Sequence, residues 1–249
     1  MKKTIFLASL AVSLLSANGN FGHTSHWGYT GHNSPEHWAE IDDRFKMCSL
    51  GKSQSPINIS KNVLVETDDL NPIEFNYHAH STDVVNNGHA IQVDVDSHSS
   101  INIDGLHFVL KQFHFHSPSE NEINGRSFPL EAHFVHATKD GRLAVVAVLY
   151  ELGEKNDVLD KIFAAMPKEA NHKAPLDISS KMIDELLPKD KDYYYFSGSL
   201  TTPPCSENVK WMVLKSYQTL SKDQLKQFTD VIEGNNRPVQ PINARKVLK

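Results

Sequence analysis

Cysteine is scarce in this chain: 249 residues hold two, Cys48 and Cys205. That excludes a framework of several disulfides. Long apolar runs are missing too. The one candidate, Ile5 to Leu15, is too short to span a membrane, and no later stretch is apolar enough. There is no internal repeat, no low-complexity run and no linker rich in Gly, Ser or Pro, so nothing divides the chain into separate domains. No basic patch points to nucleic acid, and no block of like charge points to an interaction tail. A His-Glu-x-x-His peptidase signature is also absent.

What is present begins with an export signal. Lys2 and Lys3 give a positive start, Ile5 to Leu15 an apolar core, and Ala17 and Gly19 the small residues of a cleavage region. We read 1–19 as a secretory signal peptide and 20–249 as one domain, exported to the periplasm, with cell surface or medium as the alternatives. Residues 1–19 carry two lysines and no acidic residue, so their removal takes the formal charge from −5 to −7. In an exported protein an even cysteine count predicts a Cys48–Cys205 disulfide, against the alternative of two buried thiols.

Strand patterns dominate. Ile91, Val93 and Val95 alternate with polar residues, as do Ile101 and Ile103, and Leu106, Phe108 and Leu110. Leu143 to Leu149 is nearly continuous apolar sequence, as a central strand buried on both faces requires. Val209 to Tyr217 is a further strand candidate. Helices are few. Val158, Leu159, Ile162, Phe163 and Met166 recur at helical spacing before Pro167, and Met182, Ile183, Leu186 and Leu187 do so before Pro188. Ser221 to Gln224 reads as a capping box with Gly234 as the stop. The segment from Phe21 to Leu50, with Trp27, Tyr29, Trp38 and Phe45, reads as an ordered irregular arm. The expected fold is mainly β, with short peripheral helices.

The most informative stretch is Gln112-Phe113-His114-Phe115-His116, followed by Glu131-Ala132-His133. On a strand, alternate side chains share a face. Gln112, His114 and His116 then line one face and Phe113 and Phe115 the other, while Glu131, His133 and Val135 align on a second strand. Chance placement of 14 histidines in 249 residues gives about one His-x-His pair, and the chain has two, so the pair alone means little. His78-Ala79-His80 has no nearby Glu-x-His and reads as surface or ordinary structural histidine. His114 and His116 have a third imidazole, plus Gln112 and Glu131 to take their second N–H groups. Three protein ligands suit one Zn²⁺ with an open fourth position.

These segments, with His26-Trp27-Gly28-Tyr29, Pro35-Glu36-His37-Trp38, Ser53 to Ile59, Asn86 to Ala90, Gly198 to Pro204 and Arg237 to Pro241, resemble the α-class carbonic anhydrases in their bacterial exported form. The likeness covers nearly all of the mature chain. It implies a large twisted, mostly antiparallel sheet with zinc at the base of a conical cleft. It also implies reversible hydration of CO₂ by a zinc-bound hydroxide, formed from a water whose pKa falls to about 7 in carbonic anhydrases as a class.

By that resemblance His114, His116 and His133 hold Zn²⁺, and Gln112 and Glu131 orient His114 and His133. Thr201 accepts a hydrogen bond from the hydroxide and donates to Glu120. Thr202 contacts bicarbonate. Val135, Val145, Leu200 and Trp211 form the wall where CO₂ rests, although without the resemblance they read simply as core. His89 is the expected proton shuttle, with a pKa near 6.5, against the alternative of a turn histidine. Tyr29 joins the water network of the cleft. Sulfonamides and simple anions are expected inhibitors, and the resemblance leaves the oligomeric state undefined. Two rival readings remain: attack on activated esters, as a side activity, and a non-catalytic binding module, which zinc content and CO₂ turnover would separate.

Overall fold

The structure, a computed structural model, describes residues 26–249. The signal segment with Lys2, Lys3, Ala17 and Gly19, and the start of the aromatic arm at Phe21, lie outside the described residues. Among the described residues no helix is long and apolar enough to cross a membrane.

Seven neighbouring strands make the centre: β1 (Ser81–Asn86), β2 (Ile91–Val95), β3 (Leu106–His116), β4 (Leu130–Ala137), β5 (Leu143–Leu152), β6 (Tyr193–Ser199) and β7 (Glu207–Leu214). They lie in the order β1-β2-β3-β4-β5-β7-β6 and pair antiparallel, except that β5 and β7 run parallel. Short strands extend both edges, His172–Pro175 beside β1 and Val247–Leu248 with Leu64–Val65 beyond β6.

The apolar run in β5 is buried on both faces, as its composition requires. Ala144, Val146, Val148 and Tyr150 enter the larger core. Val145, Ala147 and Leu149 enter a smaller core on the opposite face, with Val209, Trp211 and Val213 of β7. Three helices cover the larger core: α1 (Asp157–Ala165), α2 (Ser180–Glu185) and α3 (Lys222–Thr229). Each starts at a side-chain cap. Asn156 accepts from two amides of α1, Ser179 from one of α2, and Ser221 with Gln224 completes the expected capping box of α3.

Three local expectations change. Helix α3 ends at Thr229, where the Val231 amide takes the Phe228 carbonyl in a tighter, 3₁₀-type bond. Gly234 follows in a left-handed conformation (φ 54°), beyond the helix it was expected to stop. The strand expected over Val209 to Tyr217 divides. The Lys215 amide is drawn to the Asp192 carbonyl (2.8 Å), and the chain pairs with β5 again only at Gln218–Leu220. The arm up to Leu50 contains two single helical turns, Trp38–Ile41, pinned by Trp38 Nε1 donating to the carbonyls of Gly28 and Asn33, and Met47–Leu50, held through Cys48.

The feature that creates the site is a bulge in β3. Leu110 stands opposite His136 and Gln112 opposite Val135, which leaves Lys111 as the extra residue. The phase of the strand reverses there. Phe108 and Leu110 before it, and Phe113 and Phe115 after it, all reach the larger core. Gln112, His114 and His116 are thereby turned to the other face.

His136, buried on the larger-core side, has Nε2 2.9 Å from the hydroxyl of Tyr77. Burial pushes its pKa down to about 3. An unfolded histidine titrates near 6.5, so the folded state favours the neutral ring, and stability falls as pH drops from about 6.5 toward about 3. In urea titrations the wild type should lose about 2 kcal/mol more than His136→Phe between pH 7 and pH 5. Parallel losses would contradict this.

Candidate metal centre and its cleft

Register brings the site residues together. His114 on β3 faces His133 on β4, and His116 faces Glu131. One nitrogen from each of His114, His116 and His133 lies within 4.8 Å of the others. The opposite nitrogen of each ring is occupied. His114 Nδ1 donates to Gln112 Oε1 (2.8 Å), His116 Nδ1 to the Asn235 carbonyl (2.7 Å) and His133 Nε2 to Glu131 Oε1 (2.9 Å). These bonds fix the tautomers. They leave Nε2 of His114, Nε2 of His116 and Nδ1 of His133 as lone pairs facing a common space. His116 Nε2 is buried with no partner. Burial lowers all three pKa values, so the rings are neutral. Three converging neutral imidazoles fit Zn²⁺, which takes nitrogen ligands in this form.

Two buried carboxylates frame the histidines. Glu131 accepts from the amides of Glu120 (2.7 Å) and Asn121 (2.8 Å), from Asn121 Nδ2 (2.7 Å) and from His133. Burial raises its pKa, and the hydrogen bonds from Asn121 and Glu120 oppose that rise. Glu120 Oε1 accepts from the Arg237 amide (2.8 Å), and Thr201 also hydrogen-bonds this carboxyl group. Its Oε2 has no partner and stands 3.6 Å from His116 Nε2 and 3.8 Å from His133 Nδ1. Burial raises the Glu120 pKa, and the hydrogen bonds from the Arg237 amide and Thr201, which favour the charged form, oppose that rise.

One row across the sheet makes an apolar wall beside the histidines. Gln112, Val135, Val145 and Trp211 follow one another on β3, β4, β5 and β7. Leu200 packs against the same core, and the Trp211 ring meets His133 edge-on at 4.9 Å. Thr201 is buried and Thr202 half-buried, in the loop after β6. The disulfide between Cys48 and Cys205 is formed and ties that loop to the arm. Gly198 lets the loop begin where it does, because a Cβ there would collide with Ser55 and Trp211.

The model of the eukaryotic-type carbonic anhydrases matches residues 33–249. The chain belongs to that family. It is an enzyme of the carbonic anhydrase class, 47% identical over 245 residues to a carbonic anhydrase of Neisseria gonorrhoeae, covering 96% of this chain and 94% of that one. A carbonic anhydrase of Pectobacterium atrosepticum is 40% identical over the full length of both chains. The α-carbonic anhydrase of Thermovibrio ammonificans, solved with the inhibitor sulfanilamide, superposes with a TM-score of 0.86 at 46% identity, over 90% of this chain and 99% of that one.

Within this carbonic anhydrase the structure brings Gln112, His114, His116, Glu120, Glu131, His133, Thr201 and the apolar row into one site. Tyr29 lies at its border: its hydroxyl is buried without a partner, and its ring meets Trp27 and Trp38 edge-on. His89 departs from expectation in its protonation. Its ring stacks on Trp27 at 3.7 Å with an interplanar angle of 9°, and burial, with His26 nearby, pulls its pKa down to about 4 rather than 6.5.

Three supporting residues were not read as site residues from the sequence. Arg237 is buried and donates to Gln54 Oε1, the Ser55 carbonyl and the Cys48 carbonyl, while its amide holds Glu120. Burial lowers its pKa to about 10, so it remains cationic at neutral pH. Asn121 completes the shell of Glu131, and Asn235 receives His116. Arg237 had a signal, being part of a family motif. The two asparagines act through backbone proximity that no spacing in the sequence reveals.

If Trp27 holds the His89 pKa down, Trp27→Ala should move it from about 4 toward 6.5 in an NMR titration of the imidazole. An unmoved value would assign the shift to another cause.

Proposed function

We propose that this protein catalyses the reversible hydration of CO₂ to bicarbonate and a proton at one Zn²⁺ held by His114, His116 and His133. The observation that carries the reading is the set of three neutral imidazoles, His116 and His133 buried and His114 half-buried, with their spare nitrogens converging beside the apolar row. When bound there, Zn²⁺ would supply the Lewis acidity that makes water a nucleophile near neutral pH.

The chain's own groups do the rest. Thr201 spends its hydroxyl proton on Glu120, so its oxygen can only accept, and it aims the attacking oxygen by receiving that oxygen's remaining hydrogen. Glu120 keeps Thr201 in this orientation and is itself held by the Arg237 amide. Val135, Val145, Leu200 and Trp211 give an uncharged substrate a dry seat beside the histidines. Thr202 contacts the bicarbonate product. His89 carries the proton outward. Stacked on Trp27 it releases a proton readily and accepts one poorly, and leaving Trp27 would relieve the burial that lowers its pKa.

The same nucleophile would also attack activated esters as a side activity. Sulfonamides and simple anions would compete at the open position, a reading supported by the sulfanilamide complex of the Thermovibrio relative. The periplasm is the proposed location, supported by the signal pattern of residues 1–19 and by a disulfide suited to an oxidising compartment.

Zinc-loaded protein should hydrate CO₂, and Thr201→Ala should lower turnover about 10²-fold, the loss typical when one oriented hydrogen bond to the reacting oxygen is removed. His89→Ala should lower turnover in weak buffer and recover part of it with added imidazole. A Thr201→Ala variant of full activity would refute the orienting role, and unchanged turnover without His89 would refute the shuttle.

A further inference from the structure

Asn235 lies in the segment after α3, far in sequence from both β3 and the His89 turn, yet it touches both. Its carbonyl receives His116 Nδ1 (2.7 Å). Its side chain makes three further bonds. Oδ1 accepts from the Ser117 amide (2.9 Å), and Nδ2 donates to the carbonyls of Phe115 (2.9 Å) and His89 (3.0 Å). The residue is 1% exposed, so water cannot replace these partners without opening the packing. The amide is fully used, with both Nδ2 hydrogens committed to carbonyls of separate chain segments.

The two segments already meet where Ile91 of β2 pairs with Phe115 of β3, but the turn ahead of that ladder is organised locally. The turn before β2 is set by its own asparagines: Asn86 Oδ1 accepts from the Gly88 amide, and Asn87 Oδ1 from those of His89 and Ala90. The end of β3 is set by its pairing with β4 on one side and β2 on the other. The Asn235 side chain extends that link past the ladder to the His89 carbonyl in the turn, and its main chain fixes the ring of His116 at the same point.

We propose that Asn235 is a positioning residue that locks the metal-bearing end of β3 and the proton-shuttle turn into one unit, so that the hold of His116 on the metal and the placement of His89 are coupled. This deepens the zinc and shuttle reading above and rests on it. The role belongs to the side-chain amide, because the carbonyl that receives His116 survives any substitution.

The test uses the zinc-loaded protein and needs no CO₂ turnover. In Asn235→Ala, zinc release into excess chelator should quicken about 10-fold or more, as when a group supporting a metal-bound histidine is lost. Backbone amides of residues 88–90 and 115–117 should lose hydrogen-exchange protection together, while β5 keeps its own. Asn235→Asp keeps the bond from Ser117 but sets an acceptor against two carbonyls, and should expose residues 88–90 at least as much. If neither variant folds, Asn235→Ser, which keeps one small hydrogen-bonding group in place of the amide, should show the same paired loss of protection at smaller size. Zinc release within twofold of wild type, or a change in only one of the two segments, would overturn the coupling. Absence of CO₂ hydration in a wild type that binds zinc tightly would instead overturn the function proposed above and leave this result readable.

Discussion

Each histidine of the centre gives one ring nitrogen to a fixed acceptor, and the rest of the site depends on that hydrogen bond. A buried imidazole with both nitrogens free could take either tautomer and several orientations. With Gln112, the Asn235 carbonyl and Glu131 each receiving an N–H, three lone pairs are forced into the same small volume. The cost is a second layer of buried polar groups, all needing partners of their own. Glu131 meets it with four donors, and Asn235 meets it with every hydrogen of its amide. One run of this polar interior is connected from the arm at Cys48, through Arg237 and Glu120, to Thr201 and, by way of Glu131, to His133.

The sheet supplies the other half. Lys111 as an extra residue in β3 reverses the strand's phase, so that one strand sends four apolar side chains to the larger core and still turns both histidines away from it. On the site face the row from Gln112 to Trp211 then runs from polar to apolar within four strands. A dry surface and a ligand set are adjacent because they are successive positions in one register.

Much of this was legible beforehand. The alternation around His114, His116 and His133 put these three histidines together on one face, the run in β5 located the centre of the sheet, and the cap of α3 stood where Ser221 and Gln224 put it. The bulge was written in the sequence as well, since Leu106, Phe108 and Leu110 are out of phase with Phe113 and Phe115, although each half alone reads as a normal strand. Other features depend on distance in space. Asn235 is a lone asparagine in an irregular segment, and only folding sets its amide between two carbonyls. The protonation of His89 depends on which ring lies against it, and Trp27 is 62 residues away in the chain. The end of α3 was misplaced because Gly234 is a stronger local signal than the carbonyl of Phe228, which closed the helix first.

The central claim is that the three converging imidazoles hold one Zn²⁺ and that the chemistry depends on it. Stopped-flow CO₂ hydration by the mature protein, before and after removal of metal by a chelator and again after adding Zn²⁺, tests it most directly. The account predicts fast hydration at one zinc per chain, its loss with the metal and its return on reloading. Hydration that persists without metal, or a zinc-loaded protein that hydrates no CO₂, would contradict it.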